Sequence, residues 1–235
     1  MGQFIAILTG AGISAESGVA TFRDNGGLWE NHRVEDVATP EAFQRDPELV
    51  QRFYNARRAK LDTVQPNPAH TALADLQRAL RARGGDAVIV TQNVDDLHER
   101  GGATDVIHMH GELTRAMCAA CGFRWEAPTE MQVSDACPAC RTAGSTRPDI
   151  VWFGEMPYHM ERIERELSRA TQFVSIGTSG AVYPAAGFVQ MAGGLGIPTL
   201  EINLEPSLGS AYFDEARHGL AGTLVPEWVA SVLAD

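Results

Sequence analysis

The sequence predicts an α/β fold: a doubly wound Rossmann-like parallel sheet with a smaller lobe made of a helical module and a zinc ribbon. Three observations predict it. Phe4 to Thr9 is a short continuous apolar run that passes directly into Gly10-Ala11-Gly12-Ile13-Ser14-Ala15, a central strand entering a Gly-x-Gly-x-x-Ala turn. Ala87 to Thr91, Phe173 to Ile176 and Thr199 to Leu204 repeat the pattern, each an apolar strand opening into polar residues. The four cysteines fall into two Cys-x-x-Cys pairs, Cys118 with Cys121 and Cys137 with Cys140.

After the first strand, glycines let the backbone approach a pyrophosphate. Ser17-Gly18 and Asp24-Asn25-Gly26-Gly27 then interrupt any long crossover helix, and no acidic residue closes a second strand at the dinucleotide spacing. Ser17 to Trp29 is therefore expected to be a glycine-bearing flap over a ligand, carrying Phe22, Arg23 and Trp29. Two helices are predicted next, Pro40 to Leu61 and Pro68 to Arg83, from apolar repeats such as Leu49 and Phe53, or Leu73, Leu76 and Leu80. Ligands of open parallel sheets bind beyond the carboxyl ends of the strands. The polar groups after Thr91, Ile176 and Ile202 thus predict one shared pocket for a large polar ligand. The whole chain, 1–235, is expected to form a single domain. Its sheet part takes roughly residues 1–24, 73–112 and 151–235, and its lobe roughly 31–72 (helical) and 113–150 (zinc ribbon).

Paired Cys-x-x-Cys knuckles can aim four thiolates at one ion, and the fifteen residues between the pairs suffice for a short hairpin. Four sulfurs fill a tetrahedral sphere, so the expected zinc is structural and catalysis must lie elsewhere. The alternatives, two disulfides or a redox pair, fit a cytoplasmic chain less well. A cytoplasmic location is expected because no apolar run approaches a membrane span and no basic stretch precedes the strand at Phe4. The formal charge of −11, with Lys60 the one lysine, argues against nucleic acid and anionic membranes as partners. Nothing in the sequence specifies an oligomeric state.

In order along the chain stand Gly10-Ala11-Gly12-Ile13-Ser14, Thr21-Phe22-Arg23, Thr91-Gln92-Asn93-Val94-Asp95, His110-Gly111, the paired cysteines, Phe153-Gly154-Glu155, Gly177-Thr178-Ser179 and Asn203-Leu204-Glu205. Together they resemble the sirtuins, from about Phe4 to Trp228. The resemblance implies an enzyme that consumes NAD to take acyl groups off protein lysines, releasing nicotinamide and an O-acyl-ADP-ribose. It further implies that Gly10, Ala11, Gly12, Glu16, Thr21, Phe22, Arg23 and Trp29 contact NAD, and that Gln92, Asn93 and Asp95 hold its nicotinamide and ribose. Gly177, Thr178, Ser179, Asn203, Leu204, Glu205 and Ala221 would take the adenosine part. Phe22 and Trp29, closing over the nicotinamide side, would exclude water.

His110 is the expected general base, since an imidazole titrating near ~6.5 can take a proton from a ribose hydroxyl at neutral pH. Asn93 and Asp95 complete the catalytic set by orienting the leaving amide and the ribose. His108 lacks the following glycine and is expected to be structural.

Tyr54 and Arg57 stand three apart on one face of a predicted helix. In sirtuins that prefer acidic acyl groups, a tyrosine and an arginine at this spacing bind the distal carboxylate of succinyl- or malonyl-lysine, and the resemblance carries that role to Tyr54 and Arg57. The bland alternative is a half-buried tyrosine beside a solvated arginine, with the charge of Arg58 incidental. An extended acyl-lysine peptide is expected to lie against Val151, Phe153, Gly154 and Glu155 on one side and Val182 on the other, paired through main-chain groups. Two competing functions remain at this level: mono-ADP-ribosyl transfer from NAD, and a catalytically silent NAD-binding or zinc-ribbon interaction module.

Overall fold

A computed structural model describes residues 2–20, 28–29 and 32–234. Its strands are β1 (Phe4–Thr9), β2 (Leu28–Trp29), β3 (His32–Arg33), β4 (Asp86–Thr91), β5 (Val106–His108), β6 (Gly111–Cys118), β7 (Arg124–Glu126), β8 (Thr146–Ile150), β9 (Gln172–Ile176), β10 (Thr199–Asn203) and β11 (Glu215–His218). Its α-helices are α1 (Val34–Val37), α2 (Pro40–Arg45), α3 (Pro47–Leu61), α4 (Pro68–Ala82), α5 (Leu97–Arg100), α6 (Met160–Ser168), α7 (Phe188–Gly194) and α8 (Ala221–Ala234).

Six parallel strands form the main sheet in the order β11-β10-β9-β1-β4-β5. The apolar runs are continuous because both faces are covered. Ile5, Ile7, Ile89 and Val174 pack with α4 and α8, while Ala6, Leu8, Val88 and Phe173 pack with α6 and α7. From β1 the chain winds outward to β4 and β5, then returns beside β1 at β9 and winds the other way. Neighbouring strands thus send their connections apart at β1 and β9, which opens a crevice beyond their carboxyl ends.

The lobe is a three-stranded antiparallel sheet, β7-β6-β8, with α1 to α3 against it. The single helix expected over Pro40 to Leu61 is two helices. Pro47 disfavours helical backbone at Asp46, which sits at φ −145° and ψ 77°. Asp46 instead ends α2 and caps α3, its carboxylate accepting from Leu49 N at 2.9 Å. One face of α3 is fastened to the ribbon: Gln51 donates to Thr146 O, Asn55 to Met131 O, and Arg58 to Leu113 O and Thr129 O. The charge of Arg58 is therefore not incidental; its buried guanidinium ties helix to ribbon. The expected lobe boundary at residue 72 also shifts, because α4 packs on the main sheet from Ala69 onward. Among the described residues, no helix is long and apolar enough to cross a membrane.

Candidate active site

The crevice begins where two glycine-bearing loops cross. Gly10 N donates to Ile176 O and Gly12 N to Gly177 O, at 3.0 and 2.9 Å. A Cβ on Gly12 would stand 2.7 Å from Gly177 Cα, and Gly177, at φ +64°, would put one 2.4 Å from Ile13 N. These positions admit only glycine because backbone meets backbone there. Two 3-10 turns, Ala11–Ile13 and Ala15–Ser17, follow in place of a crossover helix.

Ser14 is the hub of the first polar cluster. Its hydroxyl accepts from Asn93 Nδ2 and donates to Asp95 Oδ2, both at 3.1 Å. His70 reaches the same hydroxyl through Nε2 at 3.4 Å. Its Nδ1 accepts from Asn67 N, so the proton sits on Nε2 and points at Ser14. Burial lowers the pKa of His70 to about 4, which keeps the ring neutral. Burial likewise raises Asp95 above the ordinary carboxylate range, with the bonds from Leu97 N and Ser14 opposing the shift. Beneath this cluster His98 Nε2 meets Thr9 Oγ1 at 3.0 Å, and Thr9 donates to Thr91. Sequence reasoning assigned no role to Asn67, His70 or His98. The Asn-Pro-x-His capping box that starts α4 was the one signal available.

His110 stands at the turn between β5 and β6. Its Nδ1 faces the Gln92 carbonyl at 3.1 Å. A carbonyl only accepts, so Nδ1 carries the proton and Nε2 presents its lone pair. Burial lowers the ring's pKa below 6.5, an effect the Gln92 carbonyl only partly offsets. Gly111, at φ +81°, has no room for a side chain, since a Cβ would lie 2.0 Å from Asp149 O. The His110-Gly111 pair thus marks a backbone crossing that fixes the ring's base. His110 O in turn accepts from Val151 N at 2.9 Å, which ties the imidazole to the segment expected to receive the peptide. His108 is bound to Glu99 at 2.8 Å.

On the remaining face of α3, Tyr54 is fully buried and Arg57 is 7% exposed, with its guanidinium 5.5 Å from the Phe53 ring centroid. The solvated arginine of the bland alternative is absent. Tyr54 packs with Ile150, Trp152 and Leu113, beside Val151. Phe153 N bonds to Ala38 O, leaving its ring half exposed, and Gly154 turns at φ +91°. Glu155, expected on the peptide's side, is occupied by Arg147 in a bidentate pair at 2.6 and 2.9 Å and by Trp152 N at 2.8 Å. Its carboxylate shapes the loop after β8.

At the opposite end of the crevice, Asn203 Nδ2 donates to Thr178 O at 2.7 Å and Asn203 Oδ1 accepts from Leu204 N, locking two strand ends. Thr178 shares a hydroxyl bond with Ser175, and Ser179 O accepts from Leu208 N. Leu204 and Glu205 are exposed. Glu16 accepts from Gly222 N at 2.6 Å, so it caps α8, whose first residue is Ala221. Glu16, expected at the cofactor, thus ties its own loop to the start of α8, next to Ala221. A shallow cleft opens nearby, lined by Gln92, Ser175, Thr178, Gly180, Val182 and Ser207. Glycine backbone at the crossing, amides and hydroxyls at the strand ends and a neutral imidazole suit a dinucleotide. Thr21, Phe22, Arg23 and the Trp29 side chain lie outside the described residues.

The four cysteine sulfurs lie within 4.8 Å of one another, with Cys118–Cys140 at 3.7 Å and Cys121–Cys137 at 3.8 Å. Zn–S bonds of about 2.3 Å in a tetrahedron give sulfur–sulfur edges of about 3.8 Å. The donors therefore fit one zinc ion with no position left for water.

A family model described as "Sir2 family" matches residues 10–184. The NAD-dependent protein deacylase of Vibrio cholerae serotype O1 is 55% identical over 234 residues, covering 99% of this chain and 94% of its own. The NAD-dependent protein deacylase SIR2rp3 of Leishmania major is 56% identical over 235 residues, covering 98% and 96%. Among solved structures, a Sir2 homolog–NAD complex superposes with a TM-score of 0.88 at 39% identity, over 98% of this chain and 90% of that one. A Sir2 mutant bound to a p53 peptide and NAD superposes at 0.78 with 27% identity, over 99% and 93%.

Proposed function

The chain belongs to the Sir2 family and is an NAD-dependent protein deacylase; from that premise we propose that it acts on acylated lysines and prefers chains that end in a carboxylate, succinyl and malonyl ahead of acetyl. The observation that carries the preference is the burial of Tyr54 and Arg57 three residues apart on α3, with the Tyr54 hydroxyl bonded to Trp152, the neighbour of Val151. Arg57 is little screened by water, so a carboxylate brought to it gains a charge-assisted contact worth about 1.5–3 kcal/mol, roughly ten- to a hundredfold in rate. Acetyl-lysine remains a poorer substrate.

Bound NAD supplies a ribose whose C1′ exchanges nicotinamide for the acyl oxygen. His110 Nε2 takes the proton of a ribose hydroxyl, and the Gln92 carbonyl keeps the opposite nitrogen protonated. Asn93 and Asp95, held through Ser14, orient the leaving amide and the ribose. Gly10, Ala11 and Gly12 line the pyrophosphate side, and the ends of β9 and β10 take the adenosine. The peptide pairs in extended form with Val151, Phe153 and Gly154. The zinc-bearing lobe braces this face without entering the chemistry, its four sulfurs all directed to the one ion.

Arg57→Met tests the acyl preference. With one peptide carrying succinyl, malonyl or acetyl, kcat/KM should fall about ten- to a hundredfold on the two acidic chains and stay near its original value on acetyl. Equal losses on all three would mean that Arg57 does not receive the acyl carboxylate.

A further inference from the structure

One chain of contacts runs from the loop after β8 into the acyl pocket. Glu155 holds Arg147 through both carboxylate oxygens, and Arg147 also donates to Ile150 O at 2.7 Å. So fixed, its guanidinium carbon lies 3.4 Å from the centroid of the Trp152 ring. A cation over an indole face draws on the ring's electron density and favours donation by its N–H. Trp152 Nε1 in turn donates to the Tyr54 hydroxyl oxygen at 3.0 Å, joining residues 98 apart in sequence.

An indole nitrogen donates and never accepts. The phenol oxygen is therefore the acceptor on the Trp152 side, and its own proton must be turned elsewhere. Burial raises the Tyr54 pKa well above 10, so that proton stays in place. A terminal carboxylate is acceptor-only and requires a donor, whereas an acetyl or butyryl chain has nothing at its end to receive one.

We propose that Trp152 is a positioning residue for acyl specificity: its indole N–H sets the Tyr54 hydroxyl to donate to the terminal carboxylate of an acidic acyl chain beside Arg57. This rests on the acidic-acyl preference proposed above. Trp152 is 2% exposed, its ring between the Arg147 guanidinium and Phe43, Tyr54 and Ile150, contacts that an aromatic ring without an N–H also makes.

Trp152→Phe removes the donor, and 3-benzothienylalanine at position 152 removes it while keeping the indole outline. Each is compared with the parent protein on succinyl-, butyryl- and acetyl-lysine versions of one peptide, butyryl matching succinyl in length without its charge. The succinyl KM should rise about three- to tenfold with kcat little changed, while butyryl and acetyl stay within about twofold. Tyr54→Phe should raise the succinyl KM at least as much, and the Tyr54→Phe/Trp152→Phe double variant no further. Unchanged succinyl KM in both Trp152 variants, with selective loss in Tyr54→Phe and Arg57→Met, would overturn the role of Trp152 and leave the acyl preference standing. So would parallel losses on all three chains. Absence of selective loss in Tyr54→Phe and Arg57→Met would instead remove the acyl preference, and the role of Trp152 with it.

Discussion

Replacing His110 by alanine is expected to reduce deacylation of succinyl, malonyl and acetyl peptides alike, by roughly 10²- to 10⁴-fold, the range for a lost general base. Nicotinamide release with NAD and each peptide measures it, and an unchanged melting temperature shows that the fold survives. The loss should be indifferent to the acyl chain, because the role proposed for the imidazole is on the ribose and not on the acyl terminus. The pH profile carries a second signature. A base works in its neutral form, and burial lowers the pKa of His110 below 6.5. Activity should therefore be full through neutral pH and fall only as the pH drops below about 6.5. Asp95 approaches from the other side, its pKa raised by burial, so the acid limb contains both groups. Asp95→Asn removes one of them and His108→Gln a third group, whose pKa the Glu99 carboxylate raises against its burial; the limb that remains in the double variant belongs to His110. An acid limb centred above 6.5 in that variant would exclude His110 as the buried neutral base.

Removing the zinc is expected to abolish every activity together. A structural site of this kind contributes on the order of 10–16 kcal/mol of binding free energy to the fold it closes. Cys137 is fully buried, so Cys137→Ser leaves a three-thiolate site without its tetrahedral closure. The damage reaches the active site by a traceable route. Strand β8 leads from the ribbon to Val151, and Gln51, Asn55 and Arg58 fasten α3 to the same ribbon. A strong chelator should lower the melting temperature, release about one zinc per chain by elemental analysis and extinguish succinyl and acetyl turnover in parallel, all restored by stoichiometric zinc. Retention of full activity after zinc release would show that the lobe stands without its metal. The contrast with Arg57→Met is diagnostic: one change spares acetyl turnover and the other spares nothing.

Several features of this molecule are legible without coordinates because they follow local rules. Strand β1 and its glycine turn are contiguous, the metal ligands are set by Cys-x-x-Cys spacing, and Tyr54 and Arg57 share a helix face through the helical period alone. The break between α2 and α3 was legible too, in Pro47, but the apolar repeat around it reads as one helix. Strands β5 and β11 passed unpredicted; at three and four residues they are shorter than the period-2 signal needs.

The apolar strands, the metal knuckles, the histidine beside its glycine and the phenol one helical turn from a guanidinium each depend on neighbours within a few residues, and so can be read from the chain before it folds. Tertiary structure alone decided what those groups are attached to. Only it puts the Glu155 carboxylate on Arg147, Glu16 on the end of α8, Arg58 on ribbon carbonyls and the Tyr54 oxygen under the Trp152 N–H. The physical reason is that a side-chain hydrogen bond leaves no periodicity in the chain, whether it spans 8 residues, as from Arg147 to Glu155, or 206, as from Gly222 to Glu16. Its partners are chosen by where the sheet and lobe bring them, and by the cost of burying either one alone.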